Sequence, residues 1–302
     1  MDETSQMNPV RPGYLYVVAT PIGNSADLSP RGRKILEGVD LVAAEDTRRS
    51  MVLLNKLGIR NKLVSNHKYN EHGKANWFIS QLQEGKSVAI ITDAGTPCIS
   101  DPGNELIRAA IEAEIRVVGI PGCCAAVNAL AVSGFDLRSF CFLGFFPREN
   151  ADRVRLLDIM RRDQTASVFA FYESPLRIMD LIDFLIRESV QCKLCLLNDM
   201  TKLHEATFRG TPEQVKEQLL LKGNYDKGEY TLVISLDEDY RYQREVNLIS
   251  AEALLTDAVV RGADLKQAIQ IVLSDRNHTY SKNELKTAAI HLKSMFGERS
   301  YD

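Results

Sequence analysis

Short apolar runs alternate with amphipathic stretches from the start of the chain. "YLYVVA" (14–19), "LVAAE" (41–45), "KLVSN" (62–66), "SVAIIT" (87–92) and "RVVGI" (116–120) have the length and β-branched content of strands. The intervening segments carry helix signals. "SPRGRKILEGV" opens with a Ser-Pro start, a helix follows from Thr47, and "KANWFISQLQEG" combines helical spacing with a glycine stop. "PGNELIRAAIEAE" predicts one more helix. Apolar strands separated by helices predict a parallel, doubly wound sheet.

The alternation restarts after "PGCCAAVNALAVSG". Strands are predicted at 140–145, 166–173, 193–198 and 230–236, and helices at 151–162, 175–188 and 212–221. This predicts a second α/β domain, with "GIPGCCAA" as the hinge. Beyond Asp237 a charged linker, "DEDYRYQRE", leads to helical patterns at 249–261, 264–274 and 281–296. The last opens with a capping box, Ser281 to Glu284. The expected organisation is an α/β domain over 13–121, a second over 122–236 and a small helical domain over 245–302. That helical appendage could dock a partner or RNA, or simply pack.

Composition adds few constraints. The 302 residues are 45% hydrophobic and 25% charged, as in an ordinary globular protein. No run approaches the ~18 apolar residues of a membrane span. "MDETSQMNPVRPG" lacks the basic region and apolar core of a signal peptide, so a cytoplasmic location is expected. The net charge is −3 and the pI about 6.0, so no global basic field advertises a polyanion partner. Local basic patches exist at "RPGY", "PRGRK", "DTRRS" and along Arg148, Arg153, Arg155, Arg161 and Arg162. Each alone is accounted for by a solvated helix face. The six cysteines include one CxxC, Cys192 and Cys195, without further ligands at metal spacing. On a strand those two thiols point to opposite faces, so buried thiols and no metal are expected.

Candidate chemistry gathers at strand ends. In a doubly wound sheet ligands bind beyond the carboxyl ends of the strands. "ATPIGN", "AEDTRRS", "TDAGTPCISDPG" and "IPGCCAA" all fall there and share one rim. No GxGxxG or GxxxxGK[ST] occurs, and "GNYDKGE" (223–229) has Glu229 where a phosphate-binding lysine belongs. "DAGTP" offers backbone, small residues and the Asp93 carboxylate, which suits a neutral or cationic ligand better than an anion. S-adenosylmethionine has that chemistry, although a plain tight turn accounts for this loop equally well. "SDPG" predicts only a helix start, capped by Ser100 or Asp101. Glu45, Asp46, Arg48 and Arg49 crowd one turn that a mere N-cap also explains. Glu173 and Arg177, and then Lys202, His204 and Glu205, lie at strand ends of the second half. His67 and His72 have no metal-ligand spacing and are expected at the surface.

Seven segments, "YVVATPIGN", "VAAEDTRRS", "TDAGTPCISDPG", "PGCCAAVNAL", "FYESPLR", "MTKLHE" and "KGEYTLVI", occur in order within residues 13–236. Together they resemble the tetrapyrrole-methylase-like methyltransferases, in particular those that methylate a ribose 2′-hydroxyl of a cytidine in the decoding centre of 16S ribosomal RNA. The resemblance implies two α/β domains of the tetrapyrrole methylase type with S-adenosylmethionine in the cleft between them, a homodimer, and the small ribosomal subunit as partner. Carried over by motif, the cofactor loops are Pro21 with Gly23, Asp93, Ala94, Gly95 and Thr96, and Cys124 with Ala125; Phe171, Tyr172 and Met200 come from the second domain. The "EDTR" and "TK..E" residues face the RNA. Departures from the usual pattern are Cys123 for a proline, Asn198–Asp199 for an Arg-Glu pair, Leu176 for a histidine and Ser25 for a leucine.

Methyl transfer needs alignment of donor, methyl and acceptor oxygen, and a group to take the proton of the hydroxyl. Glu45, Asp46, Glu173, Lys202 and Glu205 are candidates for the proton, with Lys202 and Glu45 foremost. Arg48 and Arg49 are candidates for flanking phosphates. Two other functions use the same fold: a methylase for a porphyrin-like small molecule, and a non-enzymatic RNA-binding assembly factor.

Overall fold

The computed structural model describes residues 9–67, 71–241, 249–274 and 280–296. The chain forms two compact units, Met1–Asp237 and Glu238–Asp302. The first carries two five-stranded sheets.

The first sheet comprises β1 (Leu15–Val18), β2 (Leu41–Ala44), β3 (Leu63–Ser65), β4 (Val88–Ile91) and β5 (Val117–Ile120), in the order β3-β2-β4-β1-β5. Every pairing is parallel, with Val17 opposite Ile90, Ala44 opposite Ile91 and Val18 opposite Ile120. The carboxyl ends therefore align at one edge. Strand alternation divides the buried side chains between two cores. Tyr16, Val18, Val42, Ala44, Ala89 and Ile91 pack against α1 (Pro30–Gly38) and α2 (Thr47–Lys56). Leu15, Leu41, Ala43, Val88 and Ile90 pack against α3 (Glu71–Gln83) and α4 (Asn104–Glu112). The doubly wound expectation thus holds. α1 starts where sequence predicts: the Ser29 side chain accepts from the Gly32 amide, with Pro30 in the first turn.

α5 (Ala125–Ser133) follows β5. Its run of small apolar residues carries no amphipathic signal, and sequence reading took it as hinge and connector. It packs under the second sheet, which comprises β6 (Phe140–Phe145), β7 (Val168–Glu173), β8 (Cys192–Asn198), β9 (Ala206–Gly210) and β10 (Tyr230–Leu236), with α6 (Asn150–Arg162), α7 (Ile178–Arg187) and α8 (Pro212–Lys222). The order is β6-β7-β10-β8-β9. Only β6 and β7 are parallel. The last strand enters antiparallel between β7 and β8. β9 was not foreseen: only Phe208 in it is buried, and its charged surroundings read as loop. The expected boundary at 121/122 falls between the two sheets, inside the first compact unit.

Cys192 and Cys195 are free, buried thiols, and burial pushes Cys192 up to about 12, so it stays protonated. Among the described residues no group of three or more His, Cys, Asp or Glu could hold a metal ion. The side chain of His72 lies outside the described residues.

The second unit is a three-helix cluster of α9 (Ala251–Val260), α10 (Leu265–Ser274) and α11 (Lys282–Phe296), closed around Leu255, Ala268, Leu285 and Leu292. The predicted capping box is present: the Ser281 amide donates to Glu284 at 2.7 Å, and the Glu284 amide to the Ser281 hydroxyl at 3.3 Å. The expected start of this domain at 245 lies outside the described residues. Among the described residues no helix is long and apolar enough to cross a membrane.

Phe78 is fully buried on the α3 side of the first sheet. Phe78→Ala is expected to cost about 3–5 kcal/mol of stability, measured by urea denaturation.

Candidate active site

Three loops of the first sheet are stitched to one another at its carboxyl edge. Thr20 and Gly95 form an isolated antiparallel bridge, exchanging backbone hydrogen bonds of 2.9 and 3.1 Å. The buried Thr20 hydroxyl also donates to the Thr92 carbonyl at 3.1 Å. The Thr96 hydroxyl donates to the Cys123 carbonyl at 2.9 Å, so the substituted hinge residue is held through its backbone. Gly95 sits at φ +87°, a left-handed conformation that favours glycine. A fourth connection runs to the second sheet. The Asn24 amide donates to the Thr201 hydroxyl at 3.0 Å, and a Cβ on Gly23 would lie 2.7 Å from the Lys202 side chain and 3.1 Å from the Met200 carbonyl. Gly23 is thus a point of close approach between "TPIGN" and "MTK".

The stitched loops enclose a cleft of ≈ 340 Å³ between the two sheets. The first sheet contributes Ile22, Glu45, Arg49, Asp93 to Thr96, and Ile99 to Asp101. Cys124 and Ala125 come from the start of α5; Phe145, Tyr172, Glu173 and Glu229 to Thr231 come from the second sheet.

Among the expected cofactor residues, Asp93, Ala94, Gly95, Thr96, Cys124, Ala125 and Tyr172 line this cleft. Pro21 and Gly23 do not, but they flank Ile22, which does. Phe171 is fully buried and packs edge-on against Phe146 in the core. Strand alternation turns its ring away from the side on which Tyr172 faces the cleft, a constraint that the motif alone does not express. Met200 is likewise a core side chain, beside Leu197 and Val233.

Among the expected catalytic residues, Glu45 and Glu173 line the cleft. Glu45 accepts from the Thr92 hydroxyl at 2.8 Å. Glu173 is buried; one oxygen accepts from the Ser174 amide at 2.7 Å and pairs with Arg177 at 2.5 Å, while Oε2 has no hydrogen-bond partner. Burial raises its carboxyl above the ordinary range despite Arg177. Asp46 caps α2 through the Arg48 and Arg49 amides, which hold its carboxyl low and make it a poor base. Arg48 projects into solvent. Glu205 accepts from the Thr201 amide at 2.8 Å and closes the turn.

Lys202 stands one shell back from the cleft. Its ammonium lies 2.8 Å from both Asp199 and Glu229. Partial burial works against the charge, but the two carboxylates win and the pKa is raised. A stabilised ammonium is a poor acceptor for the proton of a hydroxyl. Asp199, one of the departures from the family pattern, supplies half of that pairing.

Sequence reading missed Asp101. The helix it was expected to cap, α4, has Gly103 as its N-cap with no side-chain cap, and neither Ser100 nor Asp101 caps it. Asp101 instead turns into the cleft, hydrogen-bonded with Thr92. Burial raises its carboxyl, and the nearby Glu45 and Asp93 charges push the same way. Phe145, Tyr230 and Thr231 were missed too; only the in-order segment "KGEYTLVI" hinted at the last two. Arg49, expected to hold phosphates, pairs with Asp93 at 2.9 Å across the mouth, leaving Asp93 Oδ1 buried without a partner. Tyr172 accepts from the Ala126 amide at 3.3 Å, and burial pushes its hydroxyl up to about 12.

A sequence profile described as Tetrapyrrole (Corrin/Porphyrin) Methylases matches residues 14–216, which span the first sheet, β6 to β9 of the second, and the cleft lining up to Glu173. The chain belongs to the tetrapyrrole methylase family. Within it, the chain is 39% identical to ribosomal RNA small subunit methyltransferase I of Haemophilus influenzae over 275 residues, 90% of this chain and 95% of that protein. The enzyme of the same name from Synechocystis is 40% identical over 227 residues, 74% of this chain and 79% of its own. That of Micromonospora olivasterospora is 34% identical over 291 residues, 95% of this chain and 91% of its own. Uroporphyrin-III-C-methyltransferase from Thermus thermophilus shares the fold, with a TM-score of 0.50 at 20% identity, covering 74% of this chain and 94% of that one. The likeness shows the methylase fold.

The raised Asp101 carboxyl has a definite sign for stability. The native state holds this proton more tightly than the unfolded chain, so folding is penalised once pH exceeds the unfolded value near 3.8. Asp101→Asn is expected to be more stable than the parent at neutral pH, with the gain vanishing below that value. Thermal melting across pH checks this; a constant difference at all pH values contradicts it.

Proposed function

We propose that this protein transfers a methyl group from S-adenosylmethionine to a ribose 2′-hydroxyl of 16S ribosomal RNA, at a cytidine of the decoding centre. One observation carries the reading. A single cleft is ringed by the motif loops, in a chain that is 39% identical over 90% of its length to a ribosomal RNA small subunit methyltransferase I.

The cleft fits such a cofactor on its own chemistry. Its volume lies in the range of small-molecule sites. Asp93 Oδ1 and Glu173 Oε2 are buried acceptors without donors, which suits a ligand bearing hydroxyls or an ammonium. The N-terminus of α5 has no side-chain cap, which suits a carboxylate. Asp93 to Thr96, Ile22 and Ala125 are thus assigned to the cofactor. S-adenosylmethionine, when bound, supplies an electrophilic methyl group.

The chain must orient the ribose and take its proton. Glu45 is assigned as acceptor, since it lines the cleft and the Thr92 hydroxyl fixes one of its oxygens. Glu173 supports the opposite wall. Lys202, held as a cation, and the exposed Arg48 and Arg49 are assigned to phosphates flanking the target. Asp46 and Glu205 position these groups by closing their turns. The cytoplasm, where ribosomal subunits are found, is the proposed location. A homodimer is also proposed, supported by the exposed Phe140 and Leu143 on edge strand β6.

A labelled-methyl assay on small ribosomal subunits lacking this modification tests the reading. Label is expected at one ribose 2′-oxygen of a decoding-centre cytidine. Glu45→Gln should lower kcat roughly 100-fold or more while calorimetric cofactor affinity stays near that of the parent. Asp93→Asn should weaken cofactor binding before RNA binding. Label appearing only on a porphyrin-like acceptor, or no cofactor binding at all, would overturn the assignment.

A further inference from the structure

The helical unit carries an open groove of ≈ 610 Å³ between α10 and α11. Three of its lining residues are exposed lysines: Lys266, Lys286 and Lys293. Lys286 and Lys293 stand seven residues apart on α11, on one face and about 10 Å apart along the axis. Ala289 and Ile290 lie between them. Lys266 approaches from α10, three residues before Ile269, which completes the apolar floor. Among the described residues of this unit, the ion pairs Arg261 with Asp257 and His291 with Glu252 involve none of the three lysines. Among the described residues the acid lining the groove is Asp264, which accepts from the Gln267 amide at 2.7 Å as a helix cap. The groove is therefore cationic within a chain whose net charge is −3.

We infer that this groove binds the phosphodiester backbone of RNA, as a contact separate from the methylation cleft. This rests on the proposed RNA substrate. Lysine ammoniums are compact point charges that hold phosphates without a fixed fork geometry, so the groove gives affinity and placement, not base identity. The competing occupant, an acidic amphipathic helix, needs a row of apolar anchors over two turns. Here Ala289 is buried and Ile269 partly covered, and Ile290 alone, at 69% exposure, is broadly open. Charge dominates the surface offered.

The test uses the full chain and a 16S ribosomal RNA fragment containing the decoding centre. A triple variant, Lys266→Gln, Lys286→Gln and Lys293→Gln, is compared with the parent and with a triple arginine variant. In a plot of log binding constant against log salt, the glutamine variant should lose about two units of slope, because each phosphate contact contributes roughly 0.7–0.9. KM for RNA should rise roughly tenfold with kcat and cofactor affinity unchanged, and the arginine variant should restore both slope and KM. An unchanged slope and KM overturn the inference. So does displacement of nothing but a poly-glutamate peptide from the groove, which assigns it to an acidic protein. Thermal melting equal to the parent excludes misfolding, since all three side chains are exposed. If the parent binds RNA with this salt dependence but transfers no methyl group, the proposed function fails and the groove assignment stands.

Discussion

Thr20 and Gly95 exchange two backbone hydrogen bonds at the mouth of the first sheet, and the cleft depends on that exchange. Loops beyond a parallel sheet have free polar backbone groups and no ladder to hold them. Here one loop completes the other. The Thr20 hydroxyl and the Thr96 hydroxyl extend the network to Thr92 and Cys123, so "TPIGN", "DAGTP" and the hinge behave as one surface. A bulky residue at Gly95 would face both a disfavoured φ and the Ile22 side chain, 3.4 Å from its Cβ. Small residues recur in these loops because backbone, not side chain, does the joining.

The electrostatics of the cleft follow from this geometry. Asp93 and Asp101 from one loop converge with Glu45 from another, and Arg49 neutralises Asp93 alone. Glu173 approaches from the other sheet with one oxygen unsatisfied. Burial raises both the Asp101 and the Glu173 carboxyl, and at Asp101 the neighbouring Glu45 and Asp93 charges add to it. Sites that must receive a ligand commonly retain perturbed groups of this kind.

Much of this was legible in the amino-acid order because parallel sheets impose simple rules. Buried strands read as apolar runs, and loops after consecutive strands must share an edge, so "DAGTP" could be placed without knowing any distance. Legibility failed where local patterns had two meanings. "SDPGNE" has the chemistry of a helix cap, yet the backbone turns at Gly103 and sends Asp101 into the cleft. In "FYE", strand alternation separates the core Phe171 from the cleft-lining Tyr172, and Glu173 reaches the cleft from the last position of the strand. β9 and α5 lack amphipathic contrast, and their identity comes from tertiary packing. The charge state of Lys202 was beyond sequence altogether, because Glu229, one of its partners, arrives from 27 positions away.

The antiparallel entry of β10 has a consequence for how this scaffold can diversify. Tyr230, the first residue of the strand, pairs with Glu173 and Asn198, the last residues of β7 and β8. The segment just before β10 therefore opens onto the same edge as the loops that follow β6, β7 and β8. In a wholly parallel sheet a strand's leading connection would lie at the far side, away from ligand. Here residues 223–229 can lengthen, shorten or change charge while the core strands keep their register. Selection for a different acceptor molecule has, in that connection, a place to act without disturbing the stitched surface opposite.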